Sequence, residues 1–274
     1  MTTENSNSLN TTSRLLCFNR ASMFLLSAFL ATIVLIIYIW WPLAEEVLSY
    51  IDWSGPWWLY FDWLLVGIFL FMSVLIVLGA DLRRDLLTIA VGAAGGLVIE
   101  SWGTQTSIWS YYTAERPPLW IIPAWPIASL AIDRMVRLLD SLLPHKNGKG
   151  IRVVYWFTFS AFLMIMLQFV SPTFDKSFTW LASILCISLV FTPTDHPKAL
   201  LTFLAGAALG YFLELWGTTR QCWTYYTLET PPVFAVLAHG MASVSFWRSG
   251  LYINSLWRRF VIRNPRGENV LPQI

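Results

Sequence analysis

Eight apolar stretches, each close to the roughly 20 residues that a helix needs to cross a bilayer core, dominate this chain of 274 residues. They run approximately over 22–41, 61–80, 85–103, 118–138, 151–171, 177–194, 197–216 and 232–254, with Pro, Gly or charged clusters between them. Hydrocarbon offers no partner for a bare N–H or C=O, so a spanning stretch of this kind is helical. The fold expected is therefore all-α and polytopic. Composition agrees, with 56% hydrophobic and 12% charged residues, where a soluble domain carries roughly 25% charged. A net charge of +2 supplies no field for a polyanion, which excludes a nucleic-acid partner.

The distribution of Lys and Arg gives the expected orientation. With the N-terminus inside, cytoplasmic segments carry Arg14, Arg20, Arg83, Arg84, Arg134, Arg137, Lys146, Lys149, Arg152, Lys198, Arg248, Arg258, Arg259, Arg263 and Arg266, against Arg116, Lys176 and Arg220 outside. That bias places both termini in the cytoplasm of a plasma or bacterial inner membrane. Residues 1–20 read as a polar tail in which the Asn10-Thr11-Thr12 sequon stays unused, and the first stretch as a retained helix. Residues 258–274 read as a basic tail against acidic lipid.

An internal repeat divides the chain further. Leu86–Pro118 aligns without a gap to Leu200–Pro232, 114 residues later, and 18 of the 33 pairs are identical. L-L-T, G-A-A-G-G, E-S-W-G-T, W-S-Y-Y-T and E-R-P-P of the first copy become L-L-T, G-A-A-L-G, E-L-W-G-T, W-T-Y-Y-T and E-T-P-P. Four helices lie between the copies, so the halves are expected to be parallel four-helix units, 21–140 and 151–257, joined by a cytoplasmic linker at 141–150.

Gly92, Gly96 and Glu100 occupy one helix face with Gly103 a turn on, and Gly206, Gly210, Glu214 and Gly217 repeat the pattern. Small residues at this spacing let helix backbones approach. If the two faces meet on the pseudo-two-fold, Glu100 and Glu214 converge, and one of two desolvated carboxylates is kept protonated as an acid. The alternative is that each Glu bonds its own neighbouring loop. Trp102, Thr104, Trp109, Tyr111 and Tyr112, matched by Trp216, Thr218, Trp223, Tyr225 and Tyr226, fit either a substrate-lining set or an interfacial aromatic belt. Glu115 and Glu229 precede Pro-Pro pairs and are expected to be solvated or paired with Arg116 and Arg220. His239 aligns with Trp125 and breaks the symmetry, as a satisfied buried imidazole or as the titratable group of a catalytic set. Asp62, Asp81, Asp85 and Asp133 sit at helix borders, and His145 and His196 in cytoplasmic loops.

Cys17, Cys186 and Cys222 are too scattered for a disulfide framework or a metal cluster. No P-loop, H-E-x-x-H, G-x-S-x-G or dinucleotide fingerprint occurs, and no metal or cofactor is expected.

The string E-x-W-G-T…W-x-Y-Y-T…P-P-L-W-I-I-P-A-W, residues 100–125, resembles the E-x-x-G…Y-x-Y-T…P…W signature of the membrane carotenoid hydratases of the bacterioruberin pathway. Ile108-Trp109 and Cys222-Trp223 stand where that family has a Phe-Gly step. The resemblance implies a multi-helix enzyme that adds water across an isoprenoid double bond. Glu100 or Glu214 would be its acid, and Tyr111, Tyr112, Tyr225 and Tyr226 would line its site.

Three functions fit these residues. One is an integral-membrane enzyme acting on an isoprenoid or lipid double bond by hydration, cyclisation or isomerisation, with Glu100, Glu214 and His239 as catalytic groups. The second is a transporter with its site between the repeats. The third is a structural protein whose duplicated loop docks a membrane-protein partner.

Overall fold

The computed structural model describes residues 18–143 and 148–263. The sequon, most of the N-terminal tail, His145 and Lys146 of the linker, and the tail beyond Arg263 lie outside the described residues.

Nine α-helices and one two-stranded ribbon make up the described chain. Helix α1 (Arg20–Ile39) starts at Asn19, whose side chain accepts from the Ser22 amide in a capping box. It stops at Trp40 because Pro42 follows, and a short α2 (Trp41–Ser49) takes over. Asp62 caps α3 (Trp63–Val77) and Asp81 caps α4 (Leu82–Gln105). Strand β1 (Trp109–Tyr111) leads to α5 (Ala124–Leu142). Helices α6 (Lys149–Val170), α7 (Ser177–Phe191) and α8 (His196–Thr219) follow, then β2 (Trp223–Tyr225) and α9 (Val233–Arg263).

Four helices form the centre. Helix α4 packs on α5, α5 on α8, α8 on α9 and α9 back on α4, while α1, α3, α6 and α7 lie around this square. The outer faces carry exposed apolar side chains, among them Val34 on α1, Leu70 on α3, Phe157 on α6, Ile184 on α7 and Leu204 on α8. Such a continuous apolar exterior needs lipid rather than water around it. Five helical segments are long and apolar enough to cross a membrane: Arg20–Ile39, Leu82–Gln105, Leu119–Leu142, Lys149–Thr173 and His196–Thr219.

The remaining expected spans differ from the sequence reading. Helices α3 and α7 are apolar but only 15 residues long, about 22 Å at 1.5 Å per residue. Helix α9 is long enough but carries His239, Arg248, Arg258 and Arg259, and it runs through the boundary at 257 into what was expected to be a separate tail. The span expected over 118–138 is present as Leu119–Leu142, its first turn a 3₁₀ turn at Leu119–Ile121 ahead of the α-helix from Ala124.

The bounds of α7, α8 and β2 each fall 114 residues after those of α3, α4 and β1. The strands pair antiparallel with Trp109 opposite Tyr225, Ser110 opposite Thr224 and Tyr111 opposite Trp223, a register symmetric about the Ser110–Thr224 pair. Ser107 and Gln221 share a positive φ, as do Ala114 and Leu228, and the Arg116-Pro117 and Thr230-Pro231 bonds are both cis. No strand was expected here, because three residues are too few for an alternating pattern to register.

The glycine faces do not meet each other. A Cβ on Gly92 would press on Pro126 and Ser129 of α5, and one on Gly206 on His239 and Ser243 of α9. Each face is thus spent on packing α4 or α8 against the helix that follows it, and that corrects the expected meeting of the two glycine faces.

Two buried arginines end the short helices. The Arg134 guanidinium donates to the Leu78 carbonyl at the end of α3 (2.8 Å) and pairs with buried Asp85 at 2.5 Å. Arg248, at the matching place on α9, donates to Leu189 O, Thr192 O and Pro193 O at the end of α7. Carbonyls left over at a helix C-terminus lack an intrahelical partner, and a guanidinium supplies several donors to them at once. Where α4 has Asp85, α8 has buried Ala199, so Arg248 needs no carboxylate. Replacing Arg134 with Leu strands Asp85 and is expected to cost about 3–5 kcal/mol. Thermal unfolding in detergent should show this loss, and adding Asp85→Ala should recover most of it.

Candidate functional site

Glu100 and Glu214 sit near the C-terminal ends of α4 and α8 and are 3% and 4% exposed. Burial that complete obliges each carboxylate to find all its partners within the protein. The Trp109 indole donates to Glu100 Oε2 (3.2 Å), while the Tyr111 hydroxyl (3.0 Å) and the Trp125 indole (3.2 Å) donate to Oε1. Around Glu214 the Trp223 indole donates to Oε2 at 2.9 Å and the Tyr225 hydroxyl to Oε1 at 2.9 Å. His239 Nε2 lies 3.0 Å from that same Oε1. The two cages are alike except in one member, Trp125 in one and His239 in the other.

Local sequence builds each cage. Gly103 and Gly217 leave the space that the Trp109 and Trp223 rings fill, since a Cβ on either would fall within the ring. A backbone bond from Ile108 N to Gly103 O (2.9 Å), repeated from Cys222 N to Gly217 O (2.9 Å), turns the chain back so that the strand's aromatic side chains reach the carboxylate on the helix they have just left. Gly96 and Gly210 make the matching space for Trp125 and His239. The alternative in which each Glu bonds its neighbouring loop is therefore the arrangement observed.

The ribbon interlocks the cages. The Trp109 ring lies against Tyr225 and the Tyr111 ring against Trp223, both at 5.9 Å between centroids. Trp125 and His239 stack with planes 14° apart and centroids 5.8 Å apart, which links Glu100 to Glu214 through two rings. Burial, reinforced by the adjacent carboxylates, holds the phenols of Tyr111 and Tyr225 well above the ordinary tyrosine range, so both remain donors.

The other expected site residues serve different partners. Trp102 donates to Thr179 of α7 (3.4 Å) and Trp216 to Asp62 at the start of α3 (2.8 Å). The Thr104 and Thr218 hydroxyls donate to the carbonyls of Glu100 and Glu214, at 2.6 Å each. Tyr112 bonds the Ile39 carbonyl at the end of α1, and Tyr226 the Phe169 carbonyl near the end of α6. Arg220 pairs with Asp62 at 2.9 Å, not with Glu229, and the Arg116 guanidinium reaches Ser107. Asp62 and Asp85, expected at mere helix borders, are a ligand of Trp216 and a buried ion-pair partner. Trp125 was legible only as the residue opposite His239. Trp40 carried no signal and Trp120 only its place in the 100–125 string, yet with Trp216, Trp223 and Tyr111 they form an aromatic cluster beside the cages. The indole N–H groups of Trp40 and Trp120 are buried without an acceptor among the described residues.

The one difference between the cages decides what each can do. An indole N–H only donates, so Glu100 can keep Trp109 and Trp125 together only as an acceptor. Imidazole donates from one nitrogen and accepts at the other, so the Glu214–His239 contact survives with the proton on either side. A proton can pass along that 3.0 Å line and not along its counterpart at Glu100. Among the described residues no three His, Cys, Asp or Glu side chains come together as a metal-binding set.

No family model, curated protein or solved structure matches the chain.

Gly217→Ala is expected to expel the Trp223 ring from the Glu214 cage and to destabilise the protein by about 1–3 kcal/mol. Denaturation in detergent micelles measures that loss, and a red-shifted tryptophan emission marks the displaced ring.

Proposed function

We propose that this chain is an integral-membrane enzyme in which the Glu214–His239 couple is the acid and base acting on a double bond of an isoprenoid or similar lipid. The substitution of Trp125 by His239 between otherwise matching cages carries this reading, because only the second cage sets beside its carboxylate an imidazole that can take up and return the proton. In this scheme the Glu214 carboxyl gives its proton to one alkene carbon, and the bonding pair becomes the new C–H bond. The adjoining carbon is left as a cation beside the rings of Trp223, Tyr225 and Trp109, whose faces stabilise positive charge by about 0.5–2 kcal/mol per ring. For hydration, water adds to that carbon and returns a proton to the couple. Loss of a neighbouring proton gives isomerisation instead, and attack by a second double bond gives cyclisation. Glu100, bound by donors alone, holds the ribbon in place. The resemblance to carotenoid hydratases supports the same reaction class.

The scaffold proposed for this chemistry is eight crossings in two parallel four-helix halves, with both termini cytoplasmic and the cages on the non-cytoplasmic side. The positive-inside bias supports the orientation, and the 114-residue recurrence of helix bounds and cage contacts supports the halves. A transporter is the second reading, favoured by the cavity that the four central helices enclose at the end away from the ribbon.

Mass spectrometry of lipids from isoprenoid-producing cells that express the chain tests the enzyme. The wild type and Trp125→His should make a modified isoprenoid, while Glu214→Gln and His239→Trp should lower it at least ~100-fold, the scale of lost acid–base catalysis. Equal product from wild type and His239→Trp overturns the assignment, and substrate uptake without modification favours the transporter. Single cysteines test the orientation. On a cysteine-free chain Ser54→Cys should react with an impermeant reagent from outside intact cells, and Gly148→Cys only after lysis.

A further inference from the structure

A cavity of about 210 Å³ opens between α4, α5, α8 and α9 at the end of the bundle away from the ribbon. Its inner edge reaches Ser129 and Ser243, whose hydroxyls donate to the Trp125 and His239 carbonyls, so it ends one helical turn short of the ring stack. The charged residues bordering it are Arg84, Arg137 and Lys198 on the positive side and Asp133 and Asp140 on the negative. Asp133 is already shared between Arg134 (2.8 Å) and Arg137 (2.6 Å). Arg84 and Lys198 have no carboxylate within ion-pairing distance among the described residues, and the Lys198 ammonium lies over the Trp247 ring. Two further donors border the cavity unused: Arg137 Nε and the Thr202 hydroxyl are buried with no partner among the described residues, Thr202 being only 4% exposed.

Two buried donors without an acceptor, beside the half-buried Lys198 ammonium and the exposed Arg84 guanidinium, form a site short of an oxyanion. A buried unmet donor is unfavourable, and these two recover that loss only when an acceptor arrives. Phosphate fits best, because its tetrahedral oxygens can accept from a guanidinium, an ammonium and a hydroxyl at once. The wall between these donors is apolar, made by Leu87, Val91, Phe246 and Leu251, so the same space accepts the first carbons of an attached chain. Basic pockets between membrane helices hold lipid headgroups on this principle.

We propose that the cavity between the two halves binds a phosphate group, on Arg84, Arg137, Lys198 and Thr202, with a lipid chain attached to it leaving along the Leu87–Phe246 wall. The site is independent of the chemistry assigned to Glu214 and His239, and its ligand is either free phosphate from the aqueous phase or a phosphorylated lipid.

The test uses the full chain in detergent micelles, titrated with inorganic phosphate, with phosphatidic acid and with phosphatidylcholine, against sodium chloride at matched ionic strength. Phosphatidic acid at about ten times its Kd should raise the unfolding midpoint by roughly 2–4 °C. In the Arg84→Gln/Lys198→Gln variant its affinity should fall at least ~10-fold. Thr202→Val is a milder control: it removes one neutral unmet donor at nearly constant shape, so it should raise the unliganded midpoint slightly while weakening phosphatidic acid binding severalfold. Stabilisation by inorganic phosphate as well identifies a free-phosphate site, and stabilisation by phosphatidic acid alone identifies a lipid site. No midpoint shift with either, the same shift with sodium chloride or phosphatidylcholine, or undiminished phosphatidic acid binding by both variants overturns the proposal.

Discussion

A carboxylate buried among apolar helices must have its oxygens met by the protein, and much of this structure follows from meeting that need twice. Two glutamates, each almost wholly enclosed, draw a Trp and a Tyr from the strand beyond their own helix and a third ring from the helix that follows. For those rings to reach back, the chain must reverse sharply after Gly103 and Gly217. Once reversed, the two short segments lie side by side and pair as a ribbon. The cross-strand contacts of Trp109 with Tyr225 and of Tyr111 with Trp223 make each cage part of the wall of the other. Removing an acceptor leaves three donors stranded in a medium that cannot hydrate them, each at about 1–3 kcal/mol.

The same logic of unmet polar groups governs the other end. Helices α3 and α7 stop short, and their last carbonyls are met by Arg134 and Arg248. Between the two polar layers the glycines let α4 lie close on α5 and α8 on α9. The phosphate-binding cavity sits within the arginine-bearing end, where the donors outnumber the acceptors the protein itself provides.

Much of this was legible in the amino-acid sequence, because the features concerned are local and periodic. The apolar stretches mark α1, α4, α6 and α8 to within a few residues, and the shared spacing of Glu, Trp and Tyr marks the cages. The ribbon was not legible, since two three-residue strands separated by 114 residues leave no alternating pattern and hold only through the side chains behind them. Nor was the fate of Trp102, Trp216, Tyr112 and Tyr226. Their spacing matches that of the cage residues, but the helices turn Trp102 and Trp216 to Thr179 and Asp62, and Tyr112 and Tyr226, just past the strands, reach the ends of α1 and α6. Asp85 and Arg134 are 49 residues apart, and such a pair is visible only once α4 and α5 are laid together. The glycine faces misled because spacing shows that a helix can be approached closely without showing by what.

A symmetric pair of cages with one exchanged member gives the functional reading its shape. The cage with Trp125 holds its carboxylate by donation alone, whereas the cage with His239 has a partner that works with the proton in either place. The two carboxylates together hold one shared ribbon. Hydrogen exchange of the strand amides in Glu100→Leu, a change confined to the first half, tests this most directly. The account predicts that residues 223–225 lose protection together with 109–111, because the cages share their walls. Loss confined to 109–111, with 223–225 protected as in the wild type, would contradict it.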